Sequence, residues 1–221
     1  MAAGHKPLRR AYKFMNAAYI SDFLNKGRLR IGTALEFRQP DGKTGGRSDE
    51  TELTAAWQPA DGRYSLNRDH PFLRSIFGDD EPEWRSETQP LEIVFTNNVK
   101  ILHQANVLMF CVSWQVTPAM VQRMATDFDA DSCVKISSLG DFAQKVSSHP
   151  FLRGRPWSAT YVRYNPKPVS IFDPEEDQAF RKDICFGWQR EFRVVWGGDD
   201  IPNTGEVIDV PGITPLLKKV L

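Results

Sequence analysis

Near the C-terminus the run Trp188-Gln189-Arg190-Glu191-Phe192-Arg193-Val194-Val195-Trp196 sets an amide, a carboxylate and a guanidinium at every second position. Successive side chains of a strand point to opposite faces. A strand here puts Phe192, Val194 and Trp196 on an apolar core face and Gln189, Glu191, Arg193 and Val195 on the other. A carboxylate held beside an amide suits a particular reaction. When a glycosidic bond to a cationic leaving group breaks, positive charge grows on the sugar, and a fixed carboxylate stabilises it. The plain alternative is that Gln189, Glu191 and Arg193 are the wet face of an amphipathic strand.

The Gln189-x-Glu191 pair at the start of a strand resembles the catalytic turn of ADP-ribosyltransferases. The resemblance implies an NAD-cleaving enzyme in which Glu191 holds the nicotinamide ribose and steadies the oxocarbenium-like transition state, while Gln189 orients the acceptor. It also implies a Ser on a central strand and a basic residue on the first strand. Ser113 ends the most hydrophobic strand, within FCVSW, and would support Glu191. Arg10, Tyr12 and Lys13 are the first-strand candidates for contacting the dinucleotide, and the choice among them stays open. The Ser-Thr-Ser triplet usual in that family is absent, because Trp114 follows Ser113. The acceptor implied is an unknown protein or nucleic acid, or water, and toxin or phage-defence work would suit such an enzyme. A Glu191 facing a cleft shared with Ser113 and the N-terminal strand would favour this reading. A Glu191 in open solvent, or closed off by Arg193, would count against it.

A second resemblance spans most of the chain in outline. Tyr12, Lys13, Gly27, Leu29, the Cys111-Val112-Ser113 strand end, and Trp188 with Glu191, Phe192 and Arg193 are similar to an uncharacterised bacterial family, domain of unknown function 2971. The Asn-Asp-Pro-Phe piece frequent in that family is missing. In its place stands the loop Gly46-Arg47-Ser48-Asp49-Glu50-Thr51-Glu52. Arg47 and Asp49 there are candidates for holding a ribose, or Asp49 and Glu52 could centre a hydrolase. A charged solvent loop is the plain alternative, since charge clusters in Gly-rich turns are common. A third site candidate is the aromatic and Arg interleaving of Trp57, Tyr64, Phe72, Phe77 and Trp84 with Arg63, Arg68, Arg74 and Arg85, which is the chemistry of a nucleic-acid-binding module without catalysis. Its plain alternative is a small satellite core with a polar rim.

Other chemistries lack support. His5, His70, His103 and His149 are scattered, and Cys111, Cys133 and Cys185 form no CxxC pair or Cys/His cluster, so no metal site is expected. The cysteines sit in apolar company and read as buried thiols of a reducing compartment. Gly45-Gly46 and Gly197-Gly198 match neither the dinucleotide nor the P-loop glycine pattern. Lys plus Arg and Asp plus Glu both number 28, which removes any global pull toward nucleic acid or anionic membrane. The opening MAAGHKPLRR has no apolar stretch behind its charges, and the longest apolar run, Val107 to Val112, is too short to span a bilayer. A cytoplasmic protein is expected.

The elements that must position these residues follow from periodicity. Strands are expected at 11–15, 28–37, 91–96, 107–114, 133–136, 158–164, 168–172, 189–196 and 206–210, and helices over 21–26, 118–128, 139–146 and 174–184. Residues 58–90 read as a long irregular insertion. Strands and short helices do not alternate steadily, so the pattern predicts a single α+β domain over 1–221 with a split or curved, mostly antiparallel sheet, like that of ADP-ribosyltransferases.

Overall fold

The computed structural model describes residues 10–38, 54–57, 62–67, 90–95, 101–104, 106–165, 178–198 and 200–221. The chain is α+β with a mostly antiparallel sheet and short helices. It forms two compact units, one of Met1–Leu53, Asn106–Asn165 and Ala179–Leu221, the other of Thr54–Ala105 and Pro166–Gln178. The second unit takes in the expected insertion, 58–90, and more. Its described parts are two antiparallel ladders, β3 (Thr54–Trp57) with β6 (Ile101–Gln104) and β4 (Gly62–Leu66) with β5 (Leu91–Phe95).

The first unit opens with β1 (Ala11–Met15), α1 (Ala17–Lys26), β2 (Arg28–Thr33) and α2 (Ala34–Arg38). The Asn16 side chain caps α1 by accepting from the Ala18 N–H, so the helix starts earlier than Ser21-Asp22 suggests, and Gly27 ends it in the left-handed region at φ 67°. Strand β2 stops four residues short of expectation. Thr33 and Glu36 form a reciprocal capping box: the Glu36 N–H donates to Thr33 Oγ1 at 3.2 Å and the Thr33 N–H to Glu36 Oε2 at 3.1 Å. Ala34 and Leu35 therefore turn into α2.

The central strand is β7 (Leu108–Ser113), the segment expected to be most deeply buried. One edge pairs along its whole length with β12 (Glu191–Trp196), which in turn pairs with β9 (Trp157–Tyr161). The other edge forks. At its start β7 pairs with β2, through Leu108↔Thr33 and Met109↔Gly32, and at its end with β1, through Ser113↔Tyr12. From the fork one branch continues from β2 to β13 (Glu206–Asp209), the other from β1 to β8 (Ser132–Ile136) and β14 (Leu217–Lys219). The expected split in the sheet takes this form.

The main core lies on the face carrying Leu108, Phe110, Val112, Phe192, Val194 and Trp196, under α1 and α4 (Leu139–Ser147). Phe110 and Phe142 stack at 5.1 Å, and Trp196 Nε1 donates to Ser147 Oγ at 2.8 Å, which satisfies the indole N–H in the core. The opposite face carries two smaller apolar clusters, one around Met109 and Val195, the other around Phe14, Met120 and Cys133 beneath α3 (Pro118–Phe128). The helix expected over 174–184 is absent from its described part. That part is a 3-10 turn (Gln178–Phe180) and β11 (Arg181–Asp183), paired in parallel with β10 (Arg163–Asn165). Charge order along the sequence gives way here to a buried ionic contact made by Lys182, described next. The expected strand at 168–172 lies outside the described residues.

Candidate functional site

Glu191, Ser113 and Tyr12 stand in one cross-strand row. Ser113 on β7 is directly opposite Glu191 on β12 and Tyr12 on β1. Gln189 lies just before the row, in a 3-10 turn (Ile184–Gln189) instead of on the strand. Arg190 takes the left-handed conformation at φ 48° between them. That single turned residue, strained for a side chain of this size, lets Gln189 and Glu191 reach the same neighbour.

The neighbour is Lys182. Its Nζ donates to Gln189 Oε1 at 3.0 Å and to Glu191 Oε2 at 3.2 Å. Arg193, two residues along β12 and so on the same face, donates from Nε to Glu191 Oε1 at 2.6 Å and from its Nη1 to the Ala179 carbonyl at 2.9 Å. Gln189 and Glu191 are each 6% exposed and Arg193 is fully buried. The wet-face alternative is thereby overturned: this face of β12 is a buried ionic network, closed over at the strand start.

The electrostatics follow from those contacts. Burial pushes the Glu191 carboxyl up, but Arg193 first and Lys182 next outweigh it, with a hydrogen bond from the Cys111 thiol adding to them. The net result is a carboxylate held well below its usual range, ionised at any physiological pH. Its charge reaches its surroundings. The Tyr164 hydroxyl, which accepts from the Glu191 N–H at 2.8 Å, is pushed up to about 12 by burial and then by Glu191. Cys111 is likewise pushed up to about 12, chiefly by burial.

Lys13 belongs to the fork. The Trp114 N–H donates to the Arg190 carbonyl and the Ala34 N–H to the Val107 carbonyl. Peptide groups of even-numbered β7 residues therefore point to β12, and those of odd-numbered ones to the fork. Cys111 falls in the gap between the β2 and β1 pairings. Lys13 Nζ fills it, donating to the Cys111 carbonyl at 2.9 Å while lying 4.7 Å from the centre of the Phe110 ring. Burial lowers the Lys13 pKa, and the neighbouring Cys111 and Glu191 groups offset part of that. A buried carbonyl with no strand partner is costly, and this ammonium supplies the missing donor.

Of the residues singled out from sequence, Glu191, Gln189, Ser113, Tyr12 and Lys13 meet in this region. Arg10 is exposed just before β1. Ser113 does not touch the Glu191 carboxylate. Its hydroxyl donates to the Gln189 carbonyl at 2.8 Å and pins the turn that carries Gln189. Arg47, Asp49 and Glu52 lie outside the described residues, as do most of the aromatic and Arg positions between 57 and 85. Lys182 and Tyr164 were not legible as site residues. They sit side by side across the β10–β11 ladder, and only that pairing delivers both to Glu191. Among the described residues no group of three or more His, Cys, Asp or Glu is placed to hold a metal ion. No helix among them is long and apolar enough to cross a membrane.

The cysteine expectation needs one correction. Cys133 is buried and Cys111 half-buried, but Cys185 is exposed in the turn before β12. The apolar letters around it are split between the two sides of a 3-10 turn, so Ile184 is exposed as well. At pH about 8 a thiol reagent is expected to label Cys185 first, with Cys111 and Cys133 reacting only on unfolding, because burial raises them to about 12 and about 11. Mass spectrometry of alkylated peptides checks the order, and early labelling of Cys111 would contradict the burial of the Glu191 network.

Compared with known proteins, the chain matches no family model, no curated protein and no solved structure.

Proposed function

We propose that the chain is an ADP-ribosyltransferase-like enzyme that cleaves NAD and passes ADP-ribose to an acceptor. The observation that carries the reading is the row Tyr12–Ser113–Glu191 across three adjacent strands, with Gln189 tied into it by Ser113. Residues spread over 180 positions of sequence meet in one row, in which Tyr12 stands where the resemblance implies a basic residue. Glu191 is also ionised, as a carboxylate must be to stabilise an oxocarbenium-like sugar. Gln189 is the acceptor-orienting group, and Tyr12 faces the dinucleotide, because Lys13 is engaged at the Cys111 carbonyl over the core-face ring of Phe110.

A second reading has its own support. Both oxygens of Glu191 are engaged by cations and the residue is 6% exposed, so Arg193 closes it off, which is the outcome that counts against the transferase reading. On that reading Glu191 is the counter-ion that lets Arg193 and Lys182 sit in the interior, and the network is architectural. The two readings part at Lys182. A ribose hydroxyl on Oε2 needs the place that its ammonium occupies, so NAD cleavage requires Lys182 to swing aside and give up its bonds to Glu191 and Gln189.

The test is NAD binding and nicotinamide release by wild type, Glu191→Gln and Lys182→Met. The enzyme reading expects release by wild type, a loss of about 100-fold or more in Glu191→Gln, and faster release in Lys182→Met, where Oε2 is open. No binding and no release by folded wild type or Lys182→Met at millimolar NAD would sink it and leave the architectural reading.

A further inference from the structure

A second surface of the first unit is suited to a ligand and does not rest on the NAD reading. Strand β9 pairs with β12 and lies at the edge of the described sheet. Trp157 and Tyr161, four residues apart and so on the same face about 13 Å from each other, are each 44% exposed. Tyr161 is braced: it meets Phe192 edge-on at 5.1 Å and Trp114 edge-on at 6.1 Å. The Arg190 guanidinium lies 5.7 Å over the Trp114 ring. These are presented aromatic rings, oriented by neighbours and left partly in water.

Charge is distributed unevenly around them. The chain as a whole is balanced, yet residues 142–165, which contain β9 and the turn leading into it, carry Lys145, Arg153, Arg155 and Arg163 and not one Asp or Glu. Asp200, brought in from elsewhere, pairs with Arg155 at 2.6 Å. Arg153, Arg163 and Arg190 are exposed. Exposed stacking rings at a sheet edge, with Arg190 over the neighbouring Trp114 ring and Arg153 four residues before Trp157 in an acid-free stretch of sequence, match one class of partner better than any other. A peptide added as a further strand would use the β9 backbone and would not call for the cations. An acidic peptide would use the cations and leave the rings idle. A single-stranded nucleic acid uses both, its bases stacking on the rings and its phosphates on the arginines.

We propose that the β9 edge, through Trp157, Tyr161, Arg153 and Arg190, binds single-stranded nucleic acid without base-specific readout. The test is fluorescence anisotropy on the full chain with labelled oligothymidylate and oligouridylate of about 16 nucleotides. Binding to either is expected, the tighter one identifying the natural strand type. Two phosphate contacts, at Arg153 and Arg190, imply a weakening of about 7-fold between about 50 and 200 mM salt. Trp157→Ala and Tyr161→Ala should each weaken binding by about 5- to 100-fold. Trp157→Ala removes an exposed ring, and an unchanged melting temperature shows that its effect is on binding. Absence of binding at low salt, ring variants that bind as tightly as the wild type, or equally tight binding of polyglutamate, which engages charge alone, would each overturn the proposal.

Discussion

Arg193→Met is expected to destabilise the folded chain by about 3–5 kcal/mol, the largest effect of any single substitution in the Glu191 network. Arg193 is fully buried and holds both Glu191 Oε1 and the Ala179 carbonyl. Methionine fills similar space but leaves the carboxylate with Lys182 as its one cationic partner and the carbonyl without this donor. The loss comes from a charge already taken out of water, so it exceeds what a surface pair would contribute. A compensating variant separates this cause from simple misfit. Replacing Glu191 with Leu, and both Arg193 and Lys182 with Met, removes all three charges together and should recover most of the stability, because apolar side chains need no counter-ion. If the triple variant is as unstable as Arg193→Met, the charge argument is wrong.

The same network predicts how stability depends on pH. The folded-state pKa of Glu191 lies below its unfolded value. Its contribution is therefore complete above the ordinary carboxylate range, about pH 4.3, and is lost as pH falls through the lowered folded value. In Arg193→Met the strongest downward pull is gone and burial opposes ionisation, so this acid-driven loss should shrink. Urea unfolding of both proteins between neutral pH and about pH 3 reads the difference in slope.

Gly27→Ala is expected to cost about 2–5 kcal/mol, the sum of a left-handed backbone and a clash. Gly27 ends α1 at φ 67°, donating its N–H to the Phe23 carbonyl at 3.1 Å. Its own carbonyl accepts from the Val210 N–H at 3.1 Å, so the helix end and the end of β13 are in backbone contact. A Cβ there would stand 2.1 Å from the Val210 carbonyl oxygen, which cannot move without breaking that contact. Gly154 is the control. It is also left-handed, at φ 85°, but a Cβ there meets nothing within 4 Å. Gly154→Ala should show the backbone cost alone, about 1–2 kcal/mol. Thermal melts of the two variants give the comparison, and equal losses would show that the close approach contributes nothing.

Much of the frame could be read along the chain because it depends on local rules. The alternation in Phe192, Val194 and Trp196 assigned the core face of β12, and that face is buried in the main core. Pro118 to Phe128 forms the helix its spacing implies, and Leu108–Ser113 the buried strand its hydrophobicity implies. The Gln189–Glu191 pair was also visible as a site candidate, since its residue types and spacing stand in the sequence itself. Boundaries were harder where a cap decides them. The box between Thr33 and Glu36 ends β2 and starts α2, and the left-handed Arg190 moves Gln189 off the strand.

What local pattern could not decide was the meaning of the polar face. Alternation says that Glu191 and Arg193 oppose the core face. It does not say whether water or protein lies beyond them. Two long-range pairings settled that. The β10–β11 ladder sets Tyr164 beside Lys182 and carries both to Glu191, and the fork in the sheet opens the gap that Lys13 fills at the Cys111 carbonyl. Lys13 and Cys111 are 98 positions apart, and Tyr164 and Glu191 are 27 apart. A charged side chain looks the same in sequence whether it is solvated or buried against a partner. Its partner is chosen by strand pairing, so the chemistry available to Glu191 belongs to the tertiary structure.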